Sequence, residues 1–592
     1  MTVSSPEWST RTFGNEEGLP RVPLPTLEDT CRRFLEWCAP LLTPEQLAET
    51  EAAVADFLAP DSPAHELQSA LEAYDRSAGV HSWLDTFWPY RYLGRRDRIA
   101  LNANFFFLFK QSPLGQVERA AELVASAVDH KLKLDEELLA PVVLRGQPQS
   151  MVQHKFLFSA TRIPGQVLDT ARTPYREDWP GPSGARHIVV FFRDTPFRME
   201  VLDPVGRPHT PEQIAAGLRA IQESGQVVED RAAAAGHFTT KARADWASSR
   251  AALLAAGNAD ALDTIETALF CLCLEDFAPA DTQQACDELL HGDSGNRWFD
   301  KAVSFVVFQD GNAGINVEHC ELDGTTILAF TDALLSGQRS AREAASGVPA
   351  FAPVEFTVDD ALREDAREAG KSFAAYADAT ATKTVSFDFG ANRAKQLGMS
   401  PDAFAQMAYQ LAHKRAKGLT GATYESIATR QYRNGRTEAM RVVTPEVLAF
   451  VAAMDDPDRS ADARREALRA AAAKHVARAK ECQAGDAPEQ HLWELQLIQK
   501  RRGVQQAPAL YSSPGWLVMR DDYLSTSSAP SNNIQYFGFG STSPQCIGVA
   551  YVLLPDRWNL YLSTPRHVAE EMHRFADELT RAVKQLQDLL AG

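Results

Sequence analysis

Residues 301–324 constrain this chain more than any other stretch. The run Lys301-Ala-Val-Ser-Phe-Val-Val-Phe-Gln-Asp310 alternates and is rich in β-branched and aromatic residues, Asp310-Gly311-Asn312 is a turn signal, and Gly314-Ile-Asn-Val317 is a second short strand-like run. The spacing predicts a β-hairpin with His319 at the end of its second strand. Asp323 follows four residues later, and Gly324 directly after it. An imidazole, with an unperturbed pKa of ~6.5, can take a proton from a hydroxyl near neutral pH when a turn holds it in place. Cys320 points to the opposite face of the strand from His319 and is disfavoured as a nucleophile.

The remaining pattern predicts an α/β chain. Strand-like runs at Ile188-Val-Val-Phe-Phe192, Arg198-Met-Glu-Val-Leu202, Ala268-Leu-Phe-Cys-Leu-Cys-Leu274 and 303–308 alternate with helical stretches such as 240–254. Before them, 26–71 reads as helical, with a break at Pro40 and a fresh start at Thr43-Pro44-Glu45. Residues 349–353 read as a linker. Beyond it, Ser400 caps a helix over 401–417 that places Phe404, Met407, Ala408, Leu411 and Ala412 on one face. Alanine-rich helix fills 460–484, strands are expected at Gly515-Trp-Leu-Val-Met519, 547–554 and 559–563, and an amphipathic helix carrying Val568, Met572, Phe575, Leu579, Val583 and Leu586 closes the chain.

At 592 residues the chain exceeds one ordinary core, so two domains or one large composite are expected. A net charge of -18 argues against nucleic acid or an anionic membrane as partner; an anionic ligand has to meet a local positive patch. No apolar run approaches the roughly 20 residues of a transmembrane helix, Met1-Thr-Val-Ser-Ser-Pro6 lacks a signal-peptide layout, and Leu589-Leu-Ala-Gly592 carries no peroxisomal signal. Eight cysteines without a CxxC pair predict a reduced, cytoplasmic protein without a metal site.

Seven blocks accompany the hairpin in a fixed order. Asn296-Arg-Trp-Phe-Asp-Lys301 leads into its first strand, and the others are Leu19-Pro-Arg-Val-Pro-Leu-Pro25, Arg162-Ile-Pro-Gly165, Ser400-Pro-Asp-Ala-Phe404, Thr423-Tyr-Glu-Ser426, Gly435-Arg-Thr437 and Ser525-Thr-Ser527. With Glu318-His319 and Asp323-Gly324, this set resembles the choline/carnitine O-acyltransferase family from about residue 19 to the end. The resemblance implies two similar α/β halves of the CoA-dependent acyltransferase type with a central active-site tunnel, no bound cofactor, and acyl-CoA as co-substrate. The implied division is an N-terminal helical segment over 1–90 packing on the second half, a catalytic half over 91–355 carrying His319, and a CoA- and acceptor-binding half over 356–592.

The resemblance also implies residue roles. His319 is the general base; Asp323, tied to an arginine, and Gly324 support its loop. Ser527 supplies a hydroxyl near the reacting oxygens, where a fixed donor is worth ~2.7–4 kcal/mol, and Ser525 lines the acceptor pocket. On the CoA side, Lys395 occupies one of two lysine positions facing the 3′-phosphate, Ala391 occupies the other, and Arg393 is the substitute; Asp402 belongs to the same CoA-binding block. Lys414, Arg415 and Lys417 add positive charge nearby. The Ala391 departure leaves room for an acyl carrier protein as donor. Tyr424 and Thr437 match acceptor-contacting positions, while Gln490, before His491-Leu492, stands where carnitine-specific members carry an arginine. Phe537 stands at the acyl-tunnel position, where a bulky residue favours short chains. The resulting expectation is a cytoplasmic O-acyltransferase moving a short acyl group to a small alcohol other than carnitine. The alternatives are a biosynthetic acyltransferase using a carrier protein or another alcohol or amine, and a non-catalytic acyl-CoA-binding homologue, against which the intact His319, Asp323, Gly324 and Ser-Thr-Ser set argues.

Overall fold

The computed structural model describes residues 8–504 and 506–592. They form two units of discontinuous chain. The first takes the N-terminal residues to Leu19, then Trp88–Thr380 and Ser531–Gly540; the second takes Pro20–Phe87, Ala381–Pro530 and Ser541–Gly592. Each unit is built on its own sheet, with helices between and around the strands, so the α/β class holds.

The first unit's eight-stranded sheet runs in the order Phe351–Pro353, Thr195–Glu200, His187–Phe192, Cys271–Leu274, Val303–Val307, Ala313–Val317, Phe105–Phe109, Ile534–Phe539. His187–Phe192, Cys271–Leu274 and Val303–Val307 are parallel neighbours and wholly buried, which is why their sequences are continuously apolar. Val303–Val307 and Ala313–Val317 form the predicted hairpin, and Gly311 takes a φ of +85° in its turn. Phe105 pairs with Val317 on one side and Phe539 on the other; Phe107 pairs with Ile315 and Phe537. The strand period of two therefore puts all six side chains on one face.

The second unit's sheet runs Thr380–Phe387, Trp558–Pro565, Ile547–Leu553, Leu524–Ser528, Thr423–Ala428, Thr437–Arg441. Ile547–Leu553, Leu524–Ser528 and Thr423–Ala428 are parallel. Helix Pro401–Lys417 follows the sequence reading: Ser400 Oγ accepts from Ala403 N, and Gly418 ends the helix at a φ of +83°. It packs against the closing helix Ala569–Ala591. The N-terminal helices Leu27–Cys38, Pro44–Leu58 and Pro63–Asp75 also belong to this unit, beside Glu489–Arg501 and Pro514–Met519.

Two local expectations, at residues 515–519 and 349–353, are corrected. Residues 515–519 form part of helix Pro514–Met519, not a strand, because Ser513 Oγ accepts from Trp516 N and Pro514 fixes the first turn. Residues 349–353 are not a bare linker: Phe351–Pro353 pairs antiparallel with Thr195–Glu200 and extends the first sheet. The first unit keeps the chain through Thr380, and residues 531–540 also belong to it. All eight cysteines are buried and outside any disulfide. Among the described residues, no helix is long and apolar enough to cross a membrane.

Candidate active site

In the first unit, His319 follows the buried strand Ala313–Val317 by two residues, and its side chain is 28% exposed. Its ring is held between two aromatics: Tyr92 stacks at 4.9 Å between centroids, and Phe105 meets it edge-on at 5.0 Å. Nδ1 lies 3.5 Å from Asp323 Oδ1, an i,i+4 contact across the turn. An aspartate facing Nδ1 favours the proton there and leaves Nε2 as the basic nitrogen.

Asp323 precedes helix Gly324–Leu335 and is almost fully buried. Gln153 clamps it: Gln153 Nε2 donates to Asp323 Oδ2 at 2.8 Å, while Gln153 Oε1 accepts from Asp323 N at 2.9 Å and Thr326 Oγ1 at 2.7 Å. The motif arginine, Arg162, pairs with Glu318 at 3.3 Å. Gly324 has open space where a Cβ would stand, whereas at Gly165 a Cβ would lie 2.0 Å from Leu168 O.

Behind His319 lies a buried charge network that the sequence reading did not assemble. Arg162 Nη2 donates to Tyr92 O at 2.8 Å, and its Nε to Asp169 Oδ2 at 2.7 Å. Asp169 also accepts from Arg243 Nε at 2.6 Å, Arg96 Nη2 at 2.9 Å and Gly165 N at 2.9 Å. Arg243 continues to Asp300 at 2.8 Å, where Trp246 Nε1 also donates. Three arginines thus face three carboxylates, which keeps this buried set near neutrality. The network fixes Tyr92, which stacks on His319, through its carbonyl, and Glu318, the residue before His319, through its carboxylate. No local signal marks Tyr92, Gln153, Asp169 or Arg243; only Arg162 stands in a recognisable motif.

Phe537 is buried and belongs to the same face. Its ring lies 5.4 Å from Phe107, 5.6 Å from Phe539 and 6.2 Å from Phe105, so Phe105 touches both Phe537 and His319.

The second unit gathers the other candidate residues on its sheet. Tyr424 pairs with Ser525 in parallel register and with Arg441 across the hairpin, while Ala428 pairs with Thr437. Alternation then places Tyr424, Thr437, Ser525 and Ser527 on one face, with Glu425 and Thr526 on the other. Ser525 is buried and Ser527 half-buried. Arg441 lies 5.7 Å from the Tyr424 ring and is gripped by Glu489 at 2.6 and 2.8 Å and by Asp522. Gln490, 2% exposed, donates through Nε2 to Thr437 O at 3.0 Å. The next residue anchors its helix: His491 Nε2 contacts Gln68 Oε1 and Nδ1 contacts Thr30 Oγ1, both at 2.7 Å, and burial pushes its pKa down to about 3. Gly435 is required by its turn, because a Cβ would stand 2.0 Å from Thr429 O.

Arg393 and Lys395 lie on the short helix Ala391–Gln396, half-buried and exposed respectively. Of the neighbouring cations, Lys414 bonds its own helix end at Gly418 O, Arg415 pairs with Asp455, and Lys417 with Glu571. These contacts favour a structural role for all three.

Asp402 enters a polar cluster that sequence did not predict. It accepts from Tyr551 OH at 2.5 Å and lies 3.4 Å from His475 Nε2, which is 3.2 Å from Glu425 Oε2. These ligand types converge closely enough to suit a cation, but His475 already serves as one: burial opposes its charge, yet Glu425 and Asp402 raise its pKa to about 10. Burial and then the Asp402 charge push Glu425 up to about 8. Burial also acts to raise Asp402, but its bond to His475 prevails and holds it below the usual range. Above pH 4.5 for Glu425 and 6.5 for His475, folding takes up protons that the unfolded chain lacks, so both contributions decline as pH rises through about 8 and 10. The denaturant midpoint should therefore fall between pH 7 and 10, and Glu425→Gln should flatten the part near pH 8. An unchanged slope in that variant would remove Glu425 from the effect.

The profile of the family described as Choline/Carnitine o-acyltransferase matches residues 22–581. The mitochondrial carnitine O-palmitoyltransferase 2 of Mus musculus is 30% identical over 614 residues, covering 95% of this chain and 91% of that protein. The carnitine O-acetyltransferase of Columba livia is 29% identical over 597 residues, covering 97% and 94%. Among solved structures, a trichothecene 15-O-acetyltransferase from Fusarium sporotrichioides aligns with 11% identity and a TM-score of 0.38, covering 83% of this chain and 92% of that one.

Proposed function

The chain belongs to the choline/carnitine O-acyltransferase family, and from that premise we propose that it moves a short acyl group from acyl-CoA to a small alcohol other than carnitine, with His319 as general base. The observation that carries the reading is the held imidazole: Tyr92 and Phe105 fix the ring, and Asp323 faces Nδ1. Nε2 takes the hydroxyl proton as the alcohol oxygen bonds to the thioester carbonyl carbon. The tetrahedral oxyanion then collapses, the C–S bond breaks, and the imidazolium returns the proton to the departing CoA thiolate.

Ser527 is assigned to the oxyanion by its motif position, and Ser525, Tyr424, Thr437 and Gln490 to the acceptor. Arg393 and Lys395 are assigned to the 3′-phosphate, and Asp402 to the CoA side through its cluster. Carnitine is disfavoured because Gln490 supplies no charge-assisted pair to a carboxylate. We place the reaction in the cytoplasm, in keeping with eight thiols and no disulfide.

The test is thiol release from acetyl-, butyryl- and octanoyl-CoA with a panel of small alcohols, with the product identified by mass spectrometry. Absence of acyl transfer to every alcohol would leave a non-catalytic binding protein. The relatives named above include palmitoyl- and acetyltransferases, so chain length rests on Phe537 and its aromatic neighbours. Phe537→Gly should raise kcat/KM for octanoyl-CoA relative to acetyl-CoA about tenfold or more, as expected when a blocking side chain is removed from an apolar pocket. Native preference for palmitoyl-CoA would defeat this assignment.

A further inference from the structure

Gln490 is oriented by a single strong constraint. Its Nε2 donates to Thr437 O, and turning the amide over would bring two oxygens together, so Oε1 is the atom left to face elsewhere. That oxygen is buried and has no hydrogen-bond partner among the described residues. A buried amide oxygen calls for a donor.

Arg441, on the same strand as Thr437, is already engaged. Glu489, next in the helix, and Asp522 both bind it, so that guanidinium is committed to two carboxylates. Arg441 is itself kept charged by those partners against the effect of burial.

We propose that Gln490 Oε1 selects an acceptor alcohol carrying a neutral hydrogen-bond donor, a carboxamide N–H or a further hydroxyl, at the place where carnitine carries its carboxylate. This rests on the acyltransferase reading and on the assignment of Gln490 to the acceptor pocket. A donor there satisfies Oε1, while a carboxylate sets its own oxygens against Oε1 with Arg441 already committed to Glu489 and Asp522. An ester of the same shape meets no charge penalty but leaves Oε1 unsatisfied.

The experiment compares carnitine amide, carnitine methyl ester and carnitine as acceptors with acetyl-CoA, by thiol release and product mass. In the native enzyme, kcat/KM should be about tenfold or more higher for the amide than for the ester, and lowest for carnitine. Gln490→Met, similar in volume and without the oxygen, should bring amide and ester to parity, and Gln490→Arg should move carnitine to first place. Equal native use of amide and ester, a native preference for carnitine, or an amide advantage that survives Gln490→Met would each overturn the proposal. The native comparison alone decides the matter if either variant fails to fold. Failure with all three compounds alongside acylation of other alcohols overturns the proposal and spares the acyltransferase reading; failure with every alcohol overturns both.

Discussion

His319→Ala should lower kcat by ~10²–10⁴, the range for a lost general base, with the unfolding midpoint close to native. The small effect on folding is expected because the ring is partly exposed and its supports bond one another independently of it: Gln153 holds Asp323, and Arg162 holds Tyr92 and Glu318. The informative comparison is the pH profile. The native enzyme should lose kcat/KM on the acid side as an imidazole gains its proton, and the variant should show no such limb. Turnover within threefold of native would remove His319 from the mechanism.

Asp169→Asn should cost ~3–5 kcal/mol of stability, the range for breaking a buried ion pair from one side. Asp169 is completely buried and accepts from Arg96, Arg162, Arg243 and Gly165 N. An asparagine has one acceptor oxygen for these donors and leaves three guanidinium groups, those of Arg162 and Arg243 fully buried, facing two carboxylates. The same change releases Arg162, and with it the Tyr92 carbonyl, so kcat should fall although Asp169 touches neither substrate nor His319. Denaturant unfolding and steady-state kinetics measure the two effects separately. A native midpoint would show that the network tolerates the missing charge.

The contrast between these residues shows how much was legible in the chain. His319 was placed correctly because a hairpin is a local object: two alternating runs and an Asp-Gly-Asn turn determine where its second strand ends. The start of helix Pro401–Lys417 is legible from its serine cap for the same reason. Gln153 was invisible, since it meets Asp323 from 170 positions away, and glutamine has no motif of its own. Arg162 stands in a visible motif, but its partner is not readable from the chain, since Glu318 and Asp323 are both acidic residues of one short loop. The Asp402, Glu425 and His475 cluster joins residues from a helix start, a strand and the alanine-rich helix, a convergence that periodicity does not encode. Residues 515–519 misled because their side chains favour a strand, while the preceding Ser-Pro pair set a helix.

The Ile534–Phe539 strand has a consequence for biogenesis. The chain passes between the two units five times, and the last ten residues of the first unit are synthesised only after most of the second. Until residue 539 leaves the ribosome, Phe105–Phe109 remains the open margin of its sheet, a nearly all-phenylalanine strand with one side of its backbone unpaired. The nascent protein therefore carries an open aromatic strand edge through more than 400 residues of elongation, which makes it a natural client for chaperones that bind aromatic segments during translation. Chains ending before residue 534 should accumulate as insoluble material, however well the rest of their first unit can fold.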